Sequence, residues 1–303
     1  MANIPAATTG QLADPLSLME AMTDTPASRL RRRLRSGRLP WFAIVILGVI
    51  VICAIFAPLI APDNPLATNL PKALQPPSHA HWLGTDALGR DELSRLLYGA
   101  RISLTVVIAG VIGAGLIGLI IGIVSGFLGG FVDAVLMRLT DAFMGLPTLL
   151  IALVFVMSVG AGLKTVIIAL TVVGWAPFAR IIRSEVLSVK EREFVSLARI
   201  AGVGQVRIMY VHILPNVFNT FVVIATLQMS QFVLTEASLS FLGAGVPPPT
   251  PSWGNMISDG LQYIQTAWWM SLVPGIALVL MVLAMNLLGD WLRDVLDPKL
   301  RQT

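Results

Sequence analysis

Residues 41–60 read WFAIVILGVIVICAIFAPLI, twenty consecutive residues without a charged side chain. A helix of about 20 apolar residues is long enough to cross the roughly 30 Å hydrocarbon core of a bilayer. The whole chain has the same bias, because 55% of its 303 residues are hydrophobic and only 13% are charged, against about a quarter charged in soluble domains. The stretch therefore predicts a transmembrane helix within an integral membrane protein.

The segment before this helix is strongly basic. Six arginines lie between Arg29 and Arg38, and positive charge next to a first span favours a cytoplasmic location. A cleavable signal peptide is the competing interpretation, but the apolar run is too long for one and no A-x-A site follows it. We expect residues 1–40 to form a cytoplasmic N-terminal tail and residues 41–303 to form a transmembrane domain in contact with lipid.

Further stretches with few charges predict five more spans. With limits set at the flanking charged residues, these are residues 103–128, 143–159, 165–179, 217–235 and 268–288. Six spans put both termini on one side, where sixteen lysines and arginines then lie, against five on the other side. The positive-inside rule places that side in the cytoplasm. The predicted fold class is all-α, with six transmembrane helices and both ends inside.

Small residues recur at every fourth position of the second predicted span, at Gly110, Ala114, Gly118, Gly122 and Gly126. A helix stripe without bulk lets a neighbouring helix approach closely. The segment also contains a G-x-G-x-x-G match, but a dinucleotide-binding loop must follow a strand and face water. We therefore predict that these five residues serve helix packing.

Charged residues near the spans have simpler expected roles. Asp86, after Gly84 and Thr85, is expected to cap a helix over residues 87–98, and residues 290–297 to form an amphipathic tail helix. Glu236, at the end of the fifth predicted span, is expected to be solvated. The alternative for Glu236 is a buried carboxylate in a proton or cation path.

The sequence offers little for chemistry within the chain. It contains no G-x-x-x-x-G-K-[ST], G-x-S-x-G or H-E-x-x-H motif. His79, His81 and His212 are too few and too separated to predict a metal cluster, and the first two are expected to be solvated. We predict no catalytic residue, no metal site and no cofactor in this chain. Its basic residues, spread between spans, do not indicate nucleic-acid binding.

The longest predicted cytoplasmic connection covers residues 180–216. Within it, Phe194, Leu197, Ala198 and Ala201 follow the i, i+3, i+4, i+7 spacing of an amphipathic helix, and Gly202 is expected to end that helix. Such a helix suits either the lipid headgroups or the groove of a partner protein. The sequence alone leaves these two possibilities open.

Five segments carry a resemblance to a known family. Residues 196–202 (SLARIAG) with residues 212–216 (HILPN) resemble the EAA loop of ABC-importer permeases, in which E-A-A-x-x-x-G forms the coupling helix against the ATPase; Ser196 and Leu197 stand where that motif has Glu and Ala. The other four resemble signatures of the second permease subunit in dipeptide, oligopeptide, nickel and glutathione importers. They are residues 81–91 (HWLGTDALGRD), 238–243 (SLSFLG), 248–254 (PPTPSWG) and 286–299 (NLLGDWLRDVLDPK).

The resemblance implies a type I ABC-importer permease fold in the bacterial cytoplasmic membrane. The implied partners are a homologous second permease, two cytoplasmic subunits that bind ATP and Mg²⁺, and an extracytoplasmic solute-binding protein. The implied function is ATP-driven import of short peptides, or of a nickel complex or glutathione. A secondary carrier or channel that needs no ATP is the alternative. The residues implied to couple to the ATPase are Phe194, Leu197, Ala198, Ala201, Gly202, Leu214 and Pro215.

The charge asymmetry yields a test of topology. Single cysteines at Ser78 and Ser252, in a Cys53→Ala background, should react with an impermeant thiol reagent added to sealed cells, whereas one at Ser188 should not. Labelling is measured before and after the membrane is permeabilised. Reaction at Ser188 in sealed cells would contradict the assignment of sides.

Overall fold

The structure is a computed structural model that describes residues 39–296. Within this range the chain forms ten α-helices, a short 3-10 helix at Leu70–Lys72 and a π-helical turn at Met209–Ile213. The α-helices are α1 (Trp41–Ile60), α2 (Glu92–Leu128), α3 (Gly130–Met144), α4 (Thr148–Val159), α5 (Leu163–Lys190), α6 (Glu193–Ile200), α7 (Gln205–Ile208), α8 (Leu214–Phe241), α9 (Trp253–Leu261) and α10 (Trp269–Leu296). The predicted N-terminal tail, apart from its last two residues, lies outside the described residues.

Five helical segments of this range are long and apolar enough to cross a membrane. They are α1, α2, α5, the continuous run from Gln205 to Phe241 and α10. A sixth crossing arises if α3 and α4, which meet at 87°, form one broken span. The all-α membrane fold predicted from the sequence is therefore confirmed, and the limits of α1 agree with the prediction.

The third predicted span is not a single helix in the structure: two helices, α3 and α4, share its residues. Its first residues belong to α3, a helix that begins at Gly130 and includes the stretch expected to be a polar connection. The chain then breaks before Pro147, which precedes α4 in an extended conformation. Proline disfavours helical backbone in the residue before it, so a straight span over residues 143–159 does not form.

The other helices extend beyond the limits predicted for the spans. Helix α2 has 37 residues, so it is about 55 Å long and exceeds the hydrocarbon core. Helix α5 continues past Arg180 to Lys190. Helix α10 continues to Leu296, so residues 290–296 of the predicted tail helix form the end of α10. Charged residues mark where the membrane ends but do not stop a helix when they find partners.

The outer segment before α2 is held by buried ion pairs. Asp86 does not cap a helix: its carboxylate accepts from Arg90 Nε at 2.6 Å and pairs with Arg95. The N-cap of α2 is Asp91, whose Oδ2 accepts from the backbone N–H of Ser94 at 2.8 Å. The predicted helix over residues 87–98 is therefore replaced by a turn, followed by a helix that begins at Glu92.

Two residues expected to be solvated are buried. The imidazole of His81 packs against Asp91, with Nδ1 3.0 Å from Oδ1. Glu236 is 0% exposed, and its carboxyl accepts hydrogen bonds from Ser103 and Ser240 at 3.2 and 2.8 Å. Because α8 continues to Phe241, Glu236 is not at a helix end and faces α2 instead.

Ser252 is also buried and caps α9, its Oγ accepting from the backbone N–H of Asn255 at 3.4 Å. A cysteine at Ser252 is therefore out of reach of a reagent, which corrects the choice of that outer probe. Thr266, exposed in the same outer segment, is the appropriate replacement, while Ser78 and Ser188 are exposed as the labelling test requires.

Helices α2 and α5 run parallel and touch along the small-residue stripe. An added Cβ at Gly118 would lie 2.6 Å from the carbonyl oxygen of Trp175, one at Gly122 would lie 2.8 Å from Cβ of Ile182, and one at Gly126 would lie 2.8 Å from Cβ of Val186. Further out along the stripe, Gly110 faces Leu170 and Ala114 faces Gly174.

The contacts between α2 and α5 all join residues about sixty positions apart in the chain. Each small residue of α2 receives the residue roughly sixty positions later in α5, and the pattern repeats every four residues on both helices. This spacing lets the ridge of one helix lie in the groove of the other. The structure places all five small residues of α2 at buried positions.

This contact predicts the result of a matched pair of substitutions. Gly118→Leu adds bulk where backbone and side chain of α5 leave no space, and overpacking typically costs about 1–3 kcal/mol. Gly48→Leu places the same side chain on α1, where an added Cβ meets nothing within 4 Å. We expect Gly118→Leu to lower the amount of folded protein in membranes and its thermal stability in detergent, and Gly48→Leu to change neither. Equal tolerance of both would contradict the packing role.

Candidate coupling site at the cytoplasmic ends of the helices

The connection between α5 and α8 is shorter than the predicted loop over residues 180–216. Its first eleven residues continue α5, and the return helix already begins at Gln205. Only residues 191–204 lie between these helices. Helix α5 continues past its arginines because Arg183 binds Asp133 of α3 through Nε and Nη2, both at 2.5 Å.

The short helix predicted in this loop is present as α6, Glu193–Ile200. It ends in a Schellman turn, in which Gly202 N–H donates to Arg199 O and Val203 N–H donates to Ala198 O, each at 3.0 Å. Gly202 has a φ of +74°, in the left-handed region that favours glycine. The predicted stop at Gly202 thus has a specific backbone cause.

The buried face of α6 is not the apolar face predicted from the sequence. Ala198 is buried together with Val195, whereas Phe194, Leu197 and Ala201 are exposed. The buried side is therefore centred between Val195 and Ala198, which are three residues apart and so share a face of the helix. The i, i+3 spacing of Val195 and Ala198 can be seen in the sequence, but the predicted apolar face did not include Val195.

This segment exposes several large apolar side chains beside its charged ones. Leu197 is 64% exposed and Ile200 is 83% exposed. Val206 and Tyr210, on the first turns of the return helix, are 76% and 71% exposed. We call these four residues the coupling surface; of them, only Leu197 is among the residues predicted from the sequence to couple to a partner.

Leu214 and Pro215 lie within the return helix, and not at its start. The N–H of Leu214 bonds Met209 O across a π-helical turn. Pro215 has no N–H to donate, and the Asn216 side chain donates to His212 O at 2.7 Å. The structure therefore separates these two residues from α6 by α7 and the π-helical turn.

Two side chains, one at the end of α5 and one in α6, contact the cytoplasmic end of α2. Lys190 Nζ donates to the carbonyl oxygen of Gly126 at 3.0 Å. The guanidinium carbon of Arg199 lies 5.3 Å from the ring centroid of Phe127, within the range of a cation–π interaction. Neither contact follows from sequence periodicity, because each joins residues more than sixty positions apart.

The outer ion-pair cluster is the other place where site chemistry could reside. Ligand atoms of Asp63, His81 and Asp91 lie within 4.8 Å of one another. However, Lys72 Nζ lies 3.5 Å from His81 Nε2, and an ammonium group can only donate. With the 3.0 Å contact from His81 Nδ1 to Asp91 Oδ1, the side chains of Lys72, His81 and Asp91 form a chain of polar contacts that braces the outer segment.

The fold and the short helix between two of its spans define a multi-span helical membrane domain. Residues 118–302 match the family model described as "Binding-protein-dependent transport system inner membrane component". Residues 25–77 match the N-terminal TM domain of oligopeptide transport permease C. The chain belongs to this family of permeases and is a multi-pass protein of the bacterial inner membrane.

Named relatives agree over nearly the whole chain. A putative peptide transport system permease protein of Brucella suis is 41% identical over 292 residues, 96% of this chain and 98% of the relative. The dipeptide transport system permease protein DppC of Escherichia coli is 46% identical over 265 residues, 86% of this chain and 88% of the relative.

A solved structure shares the fold. An inward-facing form of the MetNI methionine ABC transporter aligns with a TM-score of 0.55 and 20% identity, covering 66% of this chain and 96% of the solved chain. The chain is thus a permease subunit of an ABC importer, and a secondary carrier or channel is not favoured.

The turn at the end of α6 predicts a difference between two neighbouring glycines. Gly202→Ala should strain the positive φ by about 1–2 kcal/mol, whereas Gly204→Ala should be tolerated because Gly204 has a φ of −61°. An added Cβ meets nothing within 4 Å at either position, so neither variant introduces a steric clash. We expect amide hydrogen exchange at residues 202 and 203 to become about tenfold faster in Gly202→Ala only. Similar exchange in both variants would contradict the strained turn.

Proposed function

We propose that this permease imports short peptides and that the coupling surface receives one of two cytoplasmic ATP-hydrolysing subunits. The observation that carries the proposal is the set of exposed apolar side chains on α6 and the first turns of the return helix, with Ile200 83% exposed. Exposed apolar groups of this kind are typical of a binding surface for a partner protein.

The energy for uphill import comes from these partners in our proposal. The sequence has no phosphate-binding G-x-x-x-x-G-K-[ST] loop, so ATP and Mg²⁺ are assigned to the cytoplasmic subunits. A homologous second permease completes the pathway, and an extracytoplasmic solute-binding protein delivers the substrate. Peptides are preferred over nickel complexes or glutathione because relatives at 41–46% identity are named for peptide or dipeptide transport.

The roles of the predicted coupling residues are refined accordingly. Leu197, with Ile200, is proposed to touch the ATP-hydrolysing subunit. Ala198 packs inward and holds α6 on the membrane domain, so its enlargement to Trp would disturb the packing of this chain in addition to docking. Phe194, Ala201, Gly202, Leu214 and Pro215 are proposed to shape the loop and its return into the membrane.

The test replaces one exposed residue by a charged one. Ile200→Asp should abolish capture of the ATP-hydrolysing subunits by the permease pair, because burial of an unpaired carboxylate opposes binding. Leu70→Asp makes the same change at a residue that is 67% exposed on the outer side and should leave capture intact. Capture is measured by pull-down from detergent, and dipeptide uptake by proteoliposomes with and without enclosed ATP.

Full capture and uptake with Ile200→Asp would move the docking site away from α6. Uptake by the unsubstituted complex that continues without ATP would instead contradict ATP-driven import. Uptake of nickel or glutathione, but not of dipeptides, through the native binding protein would overturn only the substrate assignment.

A further inference from the structure

Helix α6 is attached to the rest of the chain by few side chains. Of its residues only Val195 and Ala198 are buried, and both are small and apolar. Contacts of this kind hold a helix against a surface without fixing its position along that surface, since dispersion is not directional. A push on α6 therefore needs another contact before it moves a particular helix.

Arg199 supplies a contact of that kind. Its guanidinium lies over the ring of Phe127, which is 7% exposed and occupies the penultimate position of α2. A planar guanidinium over an aromatic face combines electrostatic attraction with stacking, so the contact has a preferred position. Phe127 is thus covered on one face by the helix that forms part of the coupling surface.

The end of α2 is in turn tied to its neighbours. Gly126 accepts the Lys190 hydrogen bond and packs against Val186, both in α5. Ser125 Oγ donates to Asp133 of α3 at 2.5 Å. A displacement of Phe127 is therefore transmitted to α2, α3 and α5 together.

We infer that Arg199 and Phe127 are positioning residues through which movement of α6 reaches the membrane helices. The inference rests on the proposed docking of an ATP-hydrolysing subunit on α6 and assigns the next step of coupling. Arg199 touches neither ATP nor substrate in this scheme; it fixes α6 to the end of α2. The competing route leads from Phe194 to His212, whose rings lie 6.2 Å apart, and so to α8.

The experiment uses the reconstituted complex of both permeases, both ATP-hydrolysing subunits and the solute-binding protein. Dipeptide uptake and ATP hydrolysis are measured in the same proteoliposomes, and capture of the ATP-hydrolysing subunits is measured in detergent. The variants are Arg199→Gln, Phe127→Leu, their combination, and Phe127→Tyr, which keeps an aromatic face. Arg207→Gln removes another exposed arginine of this cytoplasmic region and is the matched control.

We expect Arg199→Gln and Phe127→Leu each to lower uptake per ATP hydrolysed by about two- to tenfold, the range that loss of a cation–π contact allows. The combined variant should fall no further, because both substitutions remove one interaction. Phe127→Tyr and Arg207→Gln should keep the original ratio, and capture should be unchanged in all five. A purely structural role would lower protein amount without this change in ratio.

Three results would overturn the inference. An unchanged ratio in both single variants would show that the contact transmits nothing. Additive losses in the combined variant would show that the two residues act separately. Lost capture in Arg199→Gln with normal behaviour of Phe127→Leu would place Arg199 in docking itself. A failure of the proposed function gives a different result from a failure of this inference. In that case even the unsubstituted permease would not capture the ATP-hydrolysing subunits, or its uptake would not depend on ATP.

Discussion

The close approach of α2 and α5 is the constraint on which the other features of this domain depend. The two helices are parallel, with each small residue of α2 accommodating the residue about sixty positions later in α5. Parallel neighbours cannot be joined by a tight turn, since the chain must first return to the outer side. The broken pair α3 and α4 makes that return, and the ion pair between Asp133 and Arg183 holds the returning segment to α5.

Polar interactions are concentrated at the two ends of this apolar packing. On the outer side, Asp86 binds two arginines and Asp91 both caps α2 and accepts from His81. All of these residues except Arg95 belong to the H-x-L-G-T-D-x-x-G-R-D signature, so the signature has a structural explanation in the contacts it makes. At the cytoplasmic end, α6 is held more lightly, because only Val195 and Ala198 of its residues are buried.

The structural features that depend on a local sequence pattern agree with the predictions. The limits of α1, the buried small-residue stripe and the stop of α6 at Gly202 each follow from composition or spacing within one helix. The prediction failed where a distant partner decides. Arg180 was expected to end a span, but α3 supplies the carboxylate that pairs with it. Glu236 was expected in water, but serines of α2 and α8 accommodate its carboxyl group. Asp141 lies 39 positions from Arg180, and Ser103 lies 133 positions from Glu236, so a single sequence does not reveal these two pairings.

The length of α2 has a mechanical consequence. An unbroken helix of 37 residues is a rod of about 55 Å, so a tilt of about 5° about one end displaces the other end by about 5 Å. Its cytoplasmic end carries Phe127, and its outer end begins within the cluster of Asp86, Arg90 and Arg95. A small angular change at the cytoplasmic end would therefore displace the outer end by several ångströms without any change of conformation within the helix.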